Sequence, residues 1–196
     1  MNNLINPQGT KPIVISILAT LFLYLFMSST LGNIGVLFTI LLVYIYRDTS
    51  SHIVFHNKNN ILSPIDGKVF AIDNIDGKQK IYIKVNLCNG HNIKAPQNSE
   101  FKIKNYKCGL NLNPNSYKGN LLNEQVSFKF DNLKFKLISG ICNSKIYFNQ
   151  SSKVAQGDNM GIFLQGNVVV TVKKEYGLEV EIGQKLVAGQ SILFKI

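Results

Sequence analysis

Charge is missing from one long stretch of this chain and returns at short intervals in the rest. From Ile13 to Tyr46 every residue is uncharged, IVISILATLFLYLFMSSTLGNIGVLFTILLVYIY, with Lys11 before the run and Arg47 after it. Beyond Arg47, apolar residues recur at every second position in short segments separated by Gly, Asn and Asp. The first pattern predicts helix in contact with lipid, and the second predicts half-buried antiparallel strands.

The apolar run exceeds the roughly 20 residues that one span requires. Its centre, SSTLGN (Ser28 to Asn33), is made of small and turn-forming residues. Two short helices are therefore expected, near Ile13–Met27 and Leu31–Tyr46, as a hairpin that dips into or just crosses the bilayer. One long tilted span is the rival reading. A cleaved signal peptide fits less well, because the run is longer than an apolar region of about 7–15 residues and no A-x-A-like site follows. Cations on both flanks place both ends on the cytoplasmic side of an inner or plasma membrane. The expected organisation is a cytoplasmic tail over 1–12, a membrane hairpin over 13–46, and a cytoplasm-facing β domain over 47–196.

Within that domain, strands are predicted at Gly67–Asp73, Lys78–Leu87, Ser99–Cys108, Glu124–Asp131, Leu133–Cys142, Asn159–Gly166, Asn167–Lys174 and Gln190–Ile196. Asp76-Gly77 predicts a tight hairpin, since Gly accepts the positive φ that such turns demand, and Asp131-Asn132 is a second candidate. A short helix is expected only within Asn143–Lys153. The fold class is mainly β.

The net charge of +10, from 21 Lys plus Arg against 11 Asp plus Glu, adds a possible partner. A cationic domain held at an anionic leaflet gains about 1 kcal/mol per cation near the surface. A Lys-rich and Asn-rich composition with no specific partner explains the charge equally well. The lysines alternate with apolar residues and form no basic run, so nucleic acid is not expected as a partner. Cys88, Cys108 and Cys142 contain no C-x-x-C pair, which argues against a zinc site or a disulfide framework. They read as buried small apolar residues in a reducing compartment.

Two segments, ILSPIDGKVFAID and VEIGQKLVAGQSILFKI, are similar to the halves of a biotinyl/lipoyl-type barrel-sandwich hybrid, with Gly183 and Gly189 at the turns. No Lys stands where such carriers are modified, so a carrier or assembly module is the weaker reading. Four segments together resemble the short form of the phosphatidylserine decarboxylase family. They are YIYRDTS (Tyr44 to Ser50, with Thr49 for the family's Pro), LSPIDGKV (Leu62 to Val69), KVNLCNGHNIKAP (Lys84 to Pro96), and GDNMGIFLQGNVVVTV followed by VEIGQKLVAGQSILF. LLNEQ (Leu121–Gln125) and LISGIC (Leu137–Cys142) match weaker family blocks between them. The order and spacing hold over nearly the whole chain.

The resemblance implies a barrel-sandwich-like β domain that acts on an aminophospholipid such as phosphatidylserine, giving phosphatidylethanolamine and CO2. It also implies a pyruvoyl cofactor, made when a Ser after Gly attacks the preceding carbonyl and the chain cuts itself. By residue-wise carry-over Asp66 is the orienting carboxylate, His91 the base and Gly166 the donor of the attacked carbonyl. Asn167 stands at the Ser and pyruvoyl position. An amide has no hydroxyl for that acyl shift, so no pyruvoyl group is expected here, no metal is called for, and the chain reads as uncleaved and silent. A non-catalytic phospholipid-binding or partner-regulating relative is the alternative. From spacing alone, Asp66 is an ordinary turn residue and His91 a loop histidine, while His52 and His56 read as solvated or interfacial. A homo-oligomer is left open.

Overall fold

The computed structural model describes Ile5 and residues 9–47, 59–143, 145–149 and 153–196. His52, His56 and Asp48 to Ser50 lie outside the described residues, as do Ser144 and Gln150 to Ser152. The chain divides into two compact units, Met1–Ser50 and Ser51–Ile196.

The first unit is a helical hairpin, α1 (Thr10–Phe26) and α2 (Ser29–Ile45). The turn falls where the small residues predict it: Ser28 caps α2 by accepting the Leu31 N–H at 3.4 Å. Small and hydroxylated residues let the helices approach. Ser16 Oγ meets Thr39 Oγ1 at 2.7 Å, and a Cβ on Gly32 would collide with the Tyr24 ring. Ile15, Leu18, Phe26, Ile34 and Leu37 remain exposed. Each helix has 17 residues, about 26 Å at 1.5 Å per residue. Among the described residues, no helix is long and apolar enough to cross a membrane.

The second unit opens with β1 (Asn60–Leu62), β2 (Gly67–Ile75), β3 (Lys78–Val85), β4 (Asn92–Lys94), β5 (Ser99–Glu100) and β6 (Lys102–Lys107). Helix α3 (Tyr117–Leu122), β7 (Gln125–Lys129) and β8 (Leu133–Ser139) follow. Next come β9 (Tyr147–Phe148), β10 (Lys153–Val154) and β11 (Asn159–Ile162). The chain then adds β12 (Gly166–Lys173), β13 (Gly177–Leu178), β14 (Lys185–Leu186) and β15 (Ile192–Lys195).

The centre is a seven-stranded antiparallel sheet in the order β14-β2-β3-β12-β8-β7-β6. Smaller sheets are β1-β15-β13, β4-β11-β9 and the pair β10-β5. The two segments read as matching halves do pair, β1 with β15 and β2 with β14. Alternation sets the faces. Val168, Val170 and Val172 of β12 point inward with Ile81, Ile83, Phe135 and Leu137, all buried. Phe128 stacks on Phe135 at 4.8 Å between ring centres. Both expected hairpins form. Asp76 and Gly77 adopt φ of 52° and 68°, and Phe130 N–H donates to the Leu133 carbonyl at 2.8 Å across Asp131-Asn132.

Three expectations are corrected. The Ser99–Cys108 strand breaks at Phe101, which turns inward to stack on Phe130 at 5.5 Å. The short helix is Tyr117–Leu122, capped when Ser116 Oγ accepts the Gly119 N–H at 3.0 Å, whereas the described part of Asn143–Lys153 holds strands at Tyr147–Phe148 and Lys153. All three cysteines are exposed, because each sits just beyond a strand end rather than on an inward strand position.

Candidate functional site

Strand β12 carries the Gly166-Asn167 pair in the middle of the large sheet. Gly166 lies opposite Val85 and Ser139, and Asn167 opposite Lys84 and Ile138, with no break in either ladder. Gly166 has φ of 144°, and a Cβ there would run into the Ile138 carbonyl, so only glycine fits. Since Val168 faces the core, Asn167 faces outward, yet it is only 6% exposed. The loop before α3 covers it. Asn167 Nδ2 donates to the Pro114 carbonyl and to Asn115 Oδ1, each at 3.3 Å. Its Oδ1 is buried, and no donor reaches it among the described residues.

That covering loop is held by Asn123, which is fully buried. Its Oδ1 accepts the Leu112 N–H at 2.8 Å, and its Nδ2 donates to the carbonyls of Leu112 at 2.8 Å and Ser139 at 2.7 Å. Under the loop lies a cavity of about 450 Å³. One part of its lining is polar, with Lys84, Tyr82, Asn115, Asn120 and Asn167, and another is apolar, with Phe70, Ile138 and Val169. Burial first, then the hydrogen bond its hydroxyl donates to Asp73, raises the Tyr82 phenol above its ordinary value, so it stays neutral at pH 7. The lining thus offers one cation, several amides and a neutral hydroxyl, suited to an amphiphile with a charged head.

Asp66 and His91 do not line this cavity. The Asp66 carboxylate receives the Gly90 N–H at 3.0 Å and the Ala188 N–H at 2.6 Å, so it clamps two loops together. His91 is buried, and its Nε2 donates to the Leu87 carbonyl at 3.1 Å. The His91 carbonyl accepts the Phe163 N–H at 2.9 Å, four residues before Asn167. Backbone bonds therefore join Asp66, the His91 loop and the approach to Gly166-Asn167. Lys84, Tyr82, Asn115 and Asn120 were missed from sequence. Alternation could place Lys84 and Tyr82 on one face, but only the β3–β12 register sets Lys84 against Asn167.

Fold and cavity describe an antiparallel β protein with an amphipathic site beside a Gly-Asn pair. The family model for phosphatidylserine decarboxylase matches residues 38–194. A phosphatidylserine decarboxylase proenzyme of Pelagibacter ubique is 29% identical over 208 residues, covering 97% of this chain and 96% of that protein. Another, from Wolbachia pipientis, is 27% identical over 208 residues, covering 96% and 90%. A third, from Streptomyces avermitilis, is 29% identical over 156 residues, covering 76% and 71%. No solved structure matches. The chain belongs to the phosphatidylserine decarboxylase family.

Proposed function

We propose that this chain is a membrane-held member of the family that binds a serine-type phospholipid head group beside Asn167, without cutting itself and without decarboxylating the lipid. The observation that carries this reading is the side chain at 167: an amide in an unbroken ladder, bonded to Pro114 and Asn115. The family's pyruvoyl group derives from a hydroxyl residue, and the residues present do not fit that group. Asp66, His91, Gly166 and Asn167 mark the ancestral catalytic position. In this chain Asp66 binds two backbone amides and His91 binds a carbonyl, so both act as clamps.

The cavity suits the head group chemically. A phosphoserine head carries an ammonium, a carboxylate and a phosphodiester. Lys84 meets an anionic oxygen, Asn115 and Asn120 add amide hydrogen bonds, and the buried Asn167 Oδ1 accepts from the ammonium. Phe70, Ile138 and Val169 take the glycerol end. The hairpin lies in the lipid of an inner or plasma membrane, its exposed Ile, Leu and Phe side chains contacting acyl chains. With helices of about 26 Å against a hydrocarbon core of about 30 Å, it dips in rather than spanning. The β domain is a barrel-sandwich variant facing the cytoplasm.

The test is titration of the purified full chain with short-chain phosphatidylserine, followed by calorimetry and by CO2 release. Saturable binding with no CO2 is expected. Release of CO2 at any rate above buffer contradicts the reading.

A further inference from the structure

The end of the large sheet away from Asn167 is built differently. Along β12, Thr171 lies four residues from Asn167, about 13 Å at the rise of a strand. There a groove of about 280 Å³ opens between the two hairpin turns, lined by Lys78, Lys104, Lys129, Lys134 and Lys173 together with Asp131. Its single carboxylate accepts a hydrogen bond from Ser99 Oγ at 2.9 Å. Among the described residues the ion pairs are Lys173 with Glu175 at 3.4 Å and Lys195 with Glu179 at 2.9 Å, so four of the five groove lysines have no carboxylate at ion-pair distance.

The register makes this cationic face unusual. At this end three directly opposed pairs on the outward side are lysine against lysine: Lys78 with Lys173, Lys102 with Lys129, and Lys129 with Lys134. Like charges directly opposite destabilise a sheet. Lys136 shows the same crowding: burial lowers its pKa first, and Lys134 and Lys107 lower it further. An anionic partner would relieve all of these repulsions together.

We propose that this lysine-bearing end of the outward sheet face docks on an anionic lipid leaflet, the groove between Lys104, Lys129 and Lys134 receiving lipid phosphates. A leaflet is favoured over nucleic acid for two reasons. The groove holds lysine point charges with no arginine fork, and its aromatic, Phe130, is 2% exposed and offers no stacking face. The same chain also carries the long uncharged run that brings it to lipid. The inference rests in part on the membrane-held reading, and the experiment separates the two.

The full chain is reconstituted with neutral phosphatidylcholine vesicles and with vesicles rich in phosphatidylglycerol. Flotation is scored, and lysine acetylation is quantified by mass spectrometry. Flotation with both vesicles is expected, with Lys104, Lys129 and Lys134 protected several-fold only by phosphatidylglycerol, while Lys118 and Lys145 label equally in both. The triple Lys104→Gln, Lys129→Gln, Lys134→Gln variant should lose protection of Lys78 and Lys173, whereas Lys118→Gln with Lys145→Gln retains it. A chain that fails to float with neutral vesicles defeats the hairpin reading alone. The face is then read from salt-sensitive flotation with phosphatidylglycerol vesicles, which the triple variant should weaken about a hundred-fold. Equal labelling on both vesicles overturns the proposal. So does protection by inorganic phosphate or by an oligonucleotide duplex where phosphatidylglycerol gives none.

Discussion

The two ends of β12 share one strand, one pair of neighbours and one alternation, yet they do different things. At Asn167 the outward face is roofed by the loop before α3 and lined by amides, a neutral phenol and one lysine. At Lys173 it is open and lysines stand opposite lysines. Inward, both ends read valine. The inward valines hold the ladder in register, and the chemistry belongs to whatever faces outward and to what covers it.

The comparison breaks most completely if the shared inward side is removed. Phe135→Ala, at the residue opposite Val170 and fully buried, should cost about 3–5 kcal/mol and loosen both ends alike, read by urea unfolding of the β domain. A variant that disturbs only one end would show that the sheet is not one cooperative unit. Asn123→Ala should cost less, about 1–3 kcal/mol, because it leaves backbone groups of Leu112 and Ser139 without partners. Amide exchange should then speed up over residues 110–116 while the Lys173 end stays protected. Lys84→Gln should leave unfolding nearly unchanged and weaken phosphatidylserine binding about tenfold, the loss of one charge-assisted contact.

Lys136→Met should have the smallest effect, a gain within about 0.5 kcal/mol at pH 7, since a half-exposed charge is largely screened. Its sign carries the information. Burial, then Lys134 and Lys107, depress the folded pKa, so the folded protein holds the charged form at a cost below that pKa. As pH rises from there toward the ordinary 10.5, the unfolded chain binds the extra proton and the native protein gains stability. The advantage of Met should therefore fade with rising pH, as thermal unfolding between neutral pH and pH 10 would show.

Much of the fold was legible because its signals are local. Period-two alternation located the strands of the large sheet other than the two-residue β14, and Asp76-Gly77 specified a turn that the observed φ values realise. Phe101 was misread because a strand-like neighbourhood does not reveal that its ring stacks on Phe130. The α3 helix was hidden in NPNSYKGNLL, which reads as an Asn-rich loop until Ser116 is seen capping it. Asp66, His91, Gly166 and Asn167 came from the family resemblance; the Asp66 carboxylate accepts the Gly90 N–H next to His91, and the His91 carbonyl accepts the Phe163 N–H four residues before Asn167. Lys84 could not be found, because its position beside Asn167 depends on pairing between strands some eighty residues apart. The cysteines were misjudged for a related reason: residue type suggests burial, whereas position beyond a strand end decides exposure.

The central claim is that position 167 leaves this family member whole. Intact mass spectrometry of the purified full chain, beside a denaturing gel, tests it most directly. The account predicts a single species at 21.9 kDa. Two chains separating between Gly166 and Asn167, the smaller one blocked at its N-terminus, would contradict it.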